Sequence, residues 1–352
     1  MANTNQLTPQ QRAHYFAQYT RKNLQALPAQ SFSAEGDRIQ FVLPKARYLA
    51  CTFIEVEAVA KAKGSGTLKV SDYPADIFNR VSLDLNNGFM PFVLSGRDLN
   101  IYDMIRMYPD VARPHTSPRA AIHVENAISA DGTNNKIHIM LPMQNVLSEK
   151  DAIGLIMLQN DSTQVVLTLD LDSLAKAYNL AEGQSVEFVS CKVTPWTETF
   201  TIPSIEQARP DISTLKLLSS KYEVFSANSQ TIVKQPIGTI YRKMILFFED
   251  EQGNPMTAAD FTGNIELVFN QADTPISIKP AHLEYLNQHY YGAPLPDGVF
   301  VLDFASVPLP NLATSRDLVD SERLTELWVR FTPNTAGKVT SINETISRLV
   351  SA

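Results

Sequence analysis

The pattern of apolar and polar positions repeats along this chain. In residues 81–102, three alternating apolar residues precede an asparagine, and a second apolar run containing Pro91 leads into a helical pattern. Residues 265–286 show the same order 184 positions later, without an insertion. Alternation with period two predicts half-buried strands, so each copy predicts a strand, a short connection, a strand and a helix. A repeat of this length indicates an internal duplication of one β-rich unit.

Similar strand patterns fill both halves of the chain. Runs rich in β-branched and aromatic residues predict strands. In the first half they cover Ile39–Leu43, Tyr48–Val59, Ile137–Leu141, Ile153–Leu158, Val165–Leu171 and Val186–Val193. In the second half they cover Leu215–Phe225, Thr231–Ile237, Tyr241–Phe248, Gly298–Phe304 and Leu324–Phe331. With the repeats, each half holds about eight strands and one conspicuous helix.

Strict alternation also predicts the fold class. Strands with one buried and one polar face are typical of antiparallel sheets packed as a sandwich, and an eight-stranded sandwich with long connections is a jelly roll. The predicted fold is all-β with a few short helices: two tandem eight-stranded antiparallel jelly-roll sandwiches. A propeller fits less well, because the repeat occurs twice and not four to eight times.

A polar, proline-containing segment at 201–213 indicates the boundary between the two sandwiches. The predicted organisation is an N-terminal helical arm over residues 1–34, a first jelly roll over 35–205 and a second over 206–352. A capping-box pattern at 341–344, followed by apolar residues on one side, predicts that the second jelly roll ends in a short helix.

The N-terminal arm contains three cations, Arg12, Arg21 and Lys22, and no carboxylate. Its pattern predicts a helix with Phe16, Leu24 and Leu27 on the apolar face, ended by Pro28. Two interpretations remain open. The helix either docks on its own domain, or contacts a neighbouring subunit or an anionic membrane surface through Arg12, Phe16, Arg21 and Lys22. Three cations bind such a surface weakly, so membrane contact would depend on many copies acting together.

Composition narrows the function classes. A chain of 352 residues with 44% hydrophobic and 19% charged residues is globular and long enough for two domains. The net charge is −7, and phosphate recognition needs a basic surface, so we expect no direct nucleic-acid binding. No apolar run predicts an export signal or a membrane span. Cys51 and Cys191 lie in strand patterns and are predicted to be buried free thiols.

Candidate catalytic chemistry is sparse. No two histidines have the close spacing of a metal site. Asp131–Asn135 resembles the start of a calcium loop but lacks the later glutamate, so it predicts a polar turn. Asp170 and Asp172 lie two apart on one strand face, where they could act in acid–base chemistry or simply end a strand. Trp196 and Trp328 are expected in the core. We therefore predict that the chain has no catalytic residues, binds no cofactor or metal ion, and is not an enzyme.

Two stretches resemble a known family. Residues 24–50 and 81–108 are similar to the major capsid proteins of tailless icosahedral double-stranded DNA phages with an internal membrane. The motif Leu-Asn-Asn-Gly-Phe-x-Pro-Phe at 85–92 and the pattern Tyr-x-x-Ile-Arg at 102–106 belong to this similarity. The group is the tectivirus-like, double jelly-roll one, particularly members that infect Gram-positive bacteria and their proviral relatives. The second half resembles it mainly through the repeat.

The resemblance implies a structural virion protein. It implies a major capsid subunit that self-assembles as pseudo-hexagonal trimers into an icosahedral shell around an internal membrane, with the N-terminal helix facing that membrane. The implied partners are further copies of the chain and other virion proteins such as a vertex protein. The chain would be made in the host cytoplasm and located in the virion. We expect deletion of residues 1–28 to leave both sandwiches folded and to weaken assembly.

Two other functions remain open on the residues alone. One is a carbohydrate-binding or carbohydrate-active β-sandwich that uses Asp170, Asp172 and exposed aromatic residues. The other is a spike or tail component of a virion, which would form elongated fibres and not a closed shell.

Overall fold

The computed structural model describes residues 8–86, 88–107, 109–125, 132–147, 153–159, 164–305 and 318–348. The chain divides into two compact units. Unit 1 takes the residues up to Ile101 and Ala112–Lys216, and unit 2 takes Tyr102–Val111 and Leu217–Arg348.

The first thirteen strands and two helices precede residue 201. The helices are α1 (Pro9–Tyr19) and α2 (Gly96–Arg106). The strands are β1 (Lys22–Ala26), β2 (Gln30–Phe32), β3 (Arg38–Val42), β4 (Tyr48–Lys63), β5 (Lys69–Val70), β6 (Phe78–Leu85), β7 (Phe89–Leu94), β8 (Ile122–Val124), β9 (Asn134–Gln144), β10 (Ile156–Met157), β11 (Val165–Leu171), β12 (Tyr178–Asn179) and β13 (Ser185–Phe200).

The remaining strands and the third helix follow residue 213. The helix is α3 (Pro280–Tyr291). The strands are β14 (Thr214–Phe225), β15 (Thr231–Gln235), β16 (Ile240–Asp250), β17 (Ile265–Phe269), β18 (Asp273–Ile278), β19 (Val299–Asp303), β20 (Val319–Asp320), β21 (Leu327–Phe331) and β22 (Gly337–Arg348).

The two units have the same strand order. In unit 1 the strands lie in the orders β1-β13-β4-β9 and β3-β11-β6-β7. In unit 2 they lie in the orders β14-β22-β16-β19 and β15-β21-β17-β18. Even a minor pairing recurs, since β10 pairs with the start of β4 and β20 with the start of β16. The predicted fold class, two tandem eight-stranded antiparallel jelly rolls, is confirmed.

The sequence repeat is confirmed at the level of register. Val81 of β6 is paired with Leu94 of β7, and Ile265 of β17 is paired with Ile278 of β18, which are the corresponding positions of the two copies. Both hairpins contain a β-bulge at the same place. The helices α2 and α3 also begin at corresponding positions, Gly96 and Pro280. Ser95 accepts a hydrogen bond from the Asp98 amide (3.1 Å) and so caps the start of α2.

Each unit has its own core between its sheets. In unit 2 this core contains Phe225, Val233, Tyr241, Met244, Leu246, Phe248, Ile265, Leu267, Phe300, Val329 and Phe331. Strand β16 is buried from Tyr241 to Glu249, on both of its faces. A strand covered on both faces has a continuous apolar sequence instead of an alternating one, which explains the run Met-Ile-Leu-Phe-Phe within β16.

The predicted C-terminal helix is wrong. Residues Gly337–Arg348 form β22, which lies inside a sheet between β16 and β14. Ser341, the expected cap, is paired with Leu246 of β16 and is buried. A capping pattern depends only on local hydrogen bonds. Here the pairing of β22 with strands distant in sequence decides the conformation instead.

The predicted N-terminal helix ends earlier than expected. Helix α1 stops at Tyr19, Thr20 has extended backbone (φ −115°, ψ 157°), and β1 pairs with β13 from Lys22 onward. Leu24, expected on an apolar helix face, is exposed, whereas Leu27 is buried. Pairing with β13 decides the conformation here, because residues 22–26 lie in register with 196–200 and a local helical pattern does not contain that distant partner.

Candidate assembly surface

Helix α1 is defined by its own capping residues. The Thr8 hydroxyl accepts a hydrogen bond from the Gln11 amide (3.3 Å), and the Gln11 side chain accepts one from the Thr8 amide (2.9 Å). Both halves of a capping box are therefore formed. At the other end the Thr20 amide and hydroxyl both donate to the Phe16 carbonyl, at 3.0 and 2.7 Å.

Phe16 docks α1 on unit 1. Its ring lies against Phe200 (5.4 Å between ring centroids, edge-on) and Tyr48 (6.5 Å). It completes a buried cluster with Tyr48, Ala50, Val146 and Leu155. Of the two interpretations of the arm, docking on its own domain is the one seen in this structure.

Unlike Phe16, the three cations of the arm are not buried. Arg12 lies near Asp211, whose pKa is lowered first by hydrogen bonds from Ser213 and further by the Arg12 charge. Arg21 is tied to Thr201 through main-chain atoms (3.1 Å from the Thr201 amide to the Arg21 carbonyl). Lys22 forms an exposed ion pair with Glu198 (2.6 Å). The structure thus directs Phe16 inward and leaves the cations on the surface.

Each carboxylate of the candidate acid–base pair, Asp170 and Asp172, has its own cationic partner. Asp170 accepts two hydrogen bonds from Arg38 (2.5 and 2.8 Å), and Asp172 forms an ion pair with Lys176 (2.9 Å). Asp170 is the first cause of the raised pKa of the Arg38 guanidinium. Each of the two carboxylates is thus engaged by a separate cation.

Neither tryptophan lies in the core, so that prediction is wrong. Trp328 is half-buried between the buried neighbours Leu327 and Val329, so alternation along β21 turns it to the opposite face. Trp196 is also half-buried, and its indole N–H donates to Glu55 (2.8 Å). The ring of Trp328 lies under the Lys234 ammonium (5.8 Å).

Two features are absent from the part of the chain that the structure describes: a cluster of metal ligands and a membrane-spanning helix. There, no group of three or more His, Cys, Asp or Glu side chains is placed to hold a metal ion. Among the same residues, no helix combines the length and apolarity needed to cross a bilayer. Asp131 lies outside the described residues. Cys51 and Cys191 are buried thiols that form no disulfide, as predicted.

Unit 2 contains a buried ionic cluster that the sequence did not indicate. Arg242 of β16 pairs with Glu344 of β22 (2.9 Å), and their side chains are 5% and 3% exposed. Its sequence neighbour Lys243 pairs with Asp303 of β19 (2.7 Å), with the same two exposures. The charges are held within the sheet itself, because all three strands are adjacent in it.

Two tyrosines complete the ionic cluster. The Tyr102 hydroxyl donates to Glu344 (2.8 Å) and the Tyr291 hydroxyl donates to Asp303 (2.6 Å). Burial raises the pKa of both phenols well above the usual value, and the adjacent carboxylates raise it further. Both phenols therefore stay protonated donors. A possible sequence signal is Arg242-Lys243 inside an otherwise apolar strand.

Comparison with known proteins identifies the fold. No protein-family model matches the sequence, and no curated protein matches it. Solved structures do. The chain is similar to the STIV MCP, with a TM-score of 0.70 and 12% identity over 93% of this chain and 97% of that one. It is similar to the PBCV-1 virus capsid protein (TM-score 0.67, 11% identity, 95% and 96% covered) and to major capsid protein P2 of bacteriophage PM2 (0.54, 11%, 93% and 98%).

This chain has the double jelly-roll fold. The similarity extends over nearly the full length of both partners, so it includes both units and the elements between their strands. Identity of 11–12% shows the fold alone.

The double jelly roll exposes aromatic and apolar side chains that the sequence analysis missed. On α1, the rings of Tyr15 and Tyr19 stack on the solvent side (6.1 Å between centroids, 18° between planes). On β14, Tyr222 and Val224 are 69% and 72% exposed. On α3, Tyr285 is 68% exposed. Exposed aromatic side chains are enriched where proteins contact partners, and the spacing of four between Tyr15 and Tyr19 is a signal that could have indicated one helix face.

Proposed function

We propose that this chain is a structural subunit of a virus capsid. The observation that carries the proposal is the tandem double jelly roll, which this chain shares over more than nine tenths of its length with several viral capsid proteins. Two jelly rolls from one duplicated unit give a subunit with two similar halves, which suits a repeated lattice. The role is structural and not catalytic: the one carboxylate pair singled out for chemistry, Asp170 and Asp172, is held by Arg38 and Lys176.

The finer assignment rests on the resemblance to tectivirus-like phages. In this assignment the chain forms homotrimers of pseudo-hexagonal outline, which build an icosahedral shell around an internal membrane. The source is a bacteriophage or a provirus, and the chain is made in the host cytoplasm. Its further partners are other virion proteins, such as a vertex protein. The exposed Arg21 and Lys22, with the half-exposed Arg12, support a contact of the arm with a neighbouring subunit or an anionic membrane surface. The exposed Tyr222, Val224 and Tyr285 support contacts between copies.

Sizing and electron microscopy of the purified chain test the proposal. We expect a discrete oligomer under native conditions, with a hexagonal projected outline, that forms sheets or shells at high concentration. A chain that stays monomeric at high concentration in every salt condition would contradict the proposal. Elongated fibres would support the spike or tail alternative instead.

A carbohydrate-directed function has no specific observation in its favour. Its test is a glycan-binding and hydrolase screen of wild-type protein beside the Asp170→Ala variant. Binding or hydrolysis that Asp170→Ala abolishes would displace the capsid proposal.

A further inference from the structure

Helix α1 lies against residues 206–208 of unit 1 and is anchored there by Phe16. Among the side chains of α1 that the structure describes, Phe16 alone is buried, at 6% exposure. Its neighbours along the helix, including Tyr15 and Tyr19, face solvent. An isolated helix of eleven residues is marginal in water, so α1 depends on the docking of Phe16 to remain in place.

The socket that receives Phe16 does not depend on α1. It is built by Tyr48 and Phe200, which are paired directly across β4 and β13, together with Ala50, Val146 and Leu155. These residues belong to paired strands and their immediate continuations, which stay ordered by their own hydrogen bonds. Release of α1 would therefore expose a preformed apolar socket.

The chain also provides a hinge at a defined place. Arg21 is held to Thr201 by two hydrogen bonds, from its amide to the Thr201 hydroxyl (2.9 Å) and from the Thr201 amide to its carbonyl (3.1 Å). From Lys22 onward β1 pairs with β13. The segment free to swing thus ends at Thr20, whose backbone is already extended.

We propose that α1 is a releasable latch, which closes its own socket in the isolated chain and fills the same socket of a neighbouring copy in the assembly. The proposal rests on the proposed assembly function. A second copy of α1 makes the same contacts as the first, so exchange costs little free energy and is favoured when copies are held close together. The stacked pair Tyr15–Tyr19, exposed in the isolated chain, would then lie between copies.

Limited trypsin digestion of the unassembled chain tests the latch. Cleavage after Arg12, inside α1, requires the helix to open. We expect Phe16→Ala to accelerate this cleavage at least about tenfold while the rest of the chain keeps its cooperative melt. Tyr19→Ala, an aromatic truncation on the same helix, is the matched control and should change it less than about twofold. Equal rates for Phe16→Ala and wild type, or loss of the cooperative melt, would overturn the latch.

Cysteine cross-linking of the assembled protein tests the exchange. Copies carrying Arg12→Cys are mixed with copies carrying Asp211→Cys, two positions that lie close together where α1 docks, and are then assembled and treated with a short bis-maleimide. Both variants keep Phe16 and its socket. We expect covalent chain dimers on a denaturing gel, which wild type should not form because Cys51 and Cys191 are buried.

Assembled particles in which only a chain carrying both substitutions becomes cross-linked, within itself, would overturn the exchange and leave the capsid proposal intact. A chain that never assembles would contradict both the capsid proposal and the exchange, while the trypsin assay would still decide on the latch.

Discussion

At the scale of single residues, Asn86 and Asn270 perform one role in the two units. Both have left-handed backbone, with φ of 59° and 49°. Each amide donates to the residue just before the next strand of its sheet, Asn86 to the Gln164 carbonyl (2.9 Å) and Asn270 to the Glu326 carbonyl (3.0 Å). Asparagine tolerates this conformation better than other residues with a side chain. The two residues hold equivalent corners of the duplicated unit.

We predict that Asn270→Ala lowers the free energy of unfolding by about 1–3 kcal/mol, because it strains the backbone and removes an acceptor. The Asn270 side-chain oxygen accepts from the Thr325 amide (2.8 Å) and hydroxyl (2.9 Å). Asn270→Gly keeps the backbone conformation and should cost less. Urea titration measures both. Equal losses for Ala and Gly would show that the backbone conformation contributes nothing.

The buried Arg242–Glu344 pair makes a second residue-scale prediction. We expect Glu344→Ala to lower the free energy of unfolding by about 3–5 kcal/mol, because Arg242 would remain as an uncompensated buried charge. The comparison is Glu266→Ala, which breaks the more exposed Arg330–Glu266 pair (2.6 Å) and should cost less than about 1 kcal/mol. Chemical denaturation of the two variants checks this order, and a reversed order would be inconsistent with a buried pair.

At the scale of elements, the N-terminal segment consists of two parts with different attachments. Helix α1 is held through Phe16, whereas β1 pairs along its whole length with β13 and is followed by the buried Leu27. The helix therefore ends at Tyr19, not near Pro28 where the helical pattern in the sequence placed its end.

We therefore predict different results for two deletions. Removing residues 1–20 should leave unit 1 cooperatively folded and cost little free energy of unfolding, because the burial of Phe16 is largely offset by the entropy lost in ordering a short helix. Removing residues 1–28 should lower the free energy of unfolding by about 2 kcal/mol or more, since it also removes β1 and the burial of Leu27. Thermal and urea unfolding of the two truncated chains distinguish them. An equally stable pair would show that β1 contributes nothing to unit 1.

At the scale of the whole molecule, the two units share a strand order but differ in the side chains that corresponding strands carry. Strand β4 of unit 1 has exposed or half-exposed polar residues such as Glu55 and Glu57 on one face. The corresponding strand β16 of unit 2 is buried on both faces and pairs Arg242 and Lys243 with carboxylates. The two copies of the duplicated unit have thus kept the same strand order, while the residues on one face of β4 and β16 have diverged.

The sequence by itself determined the elements whose signals are local. Period-two alternation predicted most strands, and the repeat predicted two equivalent hairpin-and-helix units. The tertiary structure alone decided three other features: β22 where a helix was expected, the end of α1 at Tyr19, and the buried cluster around Glu344. The physical reason is common to all three. Each depends on which distant strand lies alongside, and a local pattern does not contain that information.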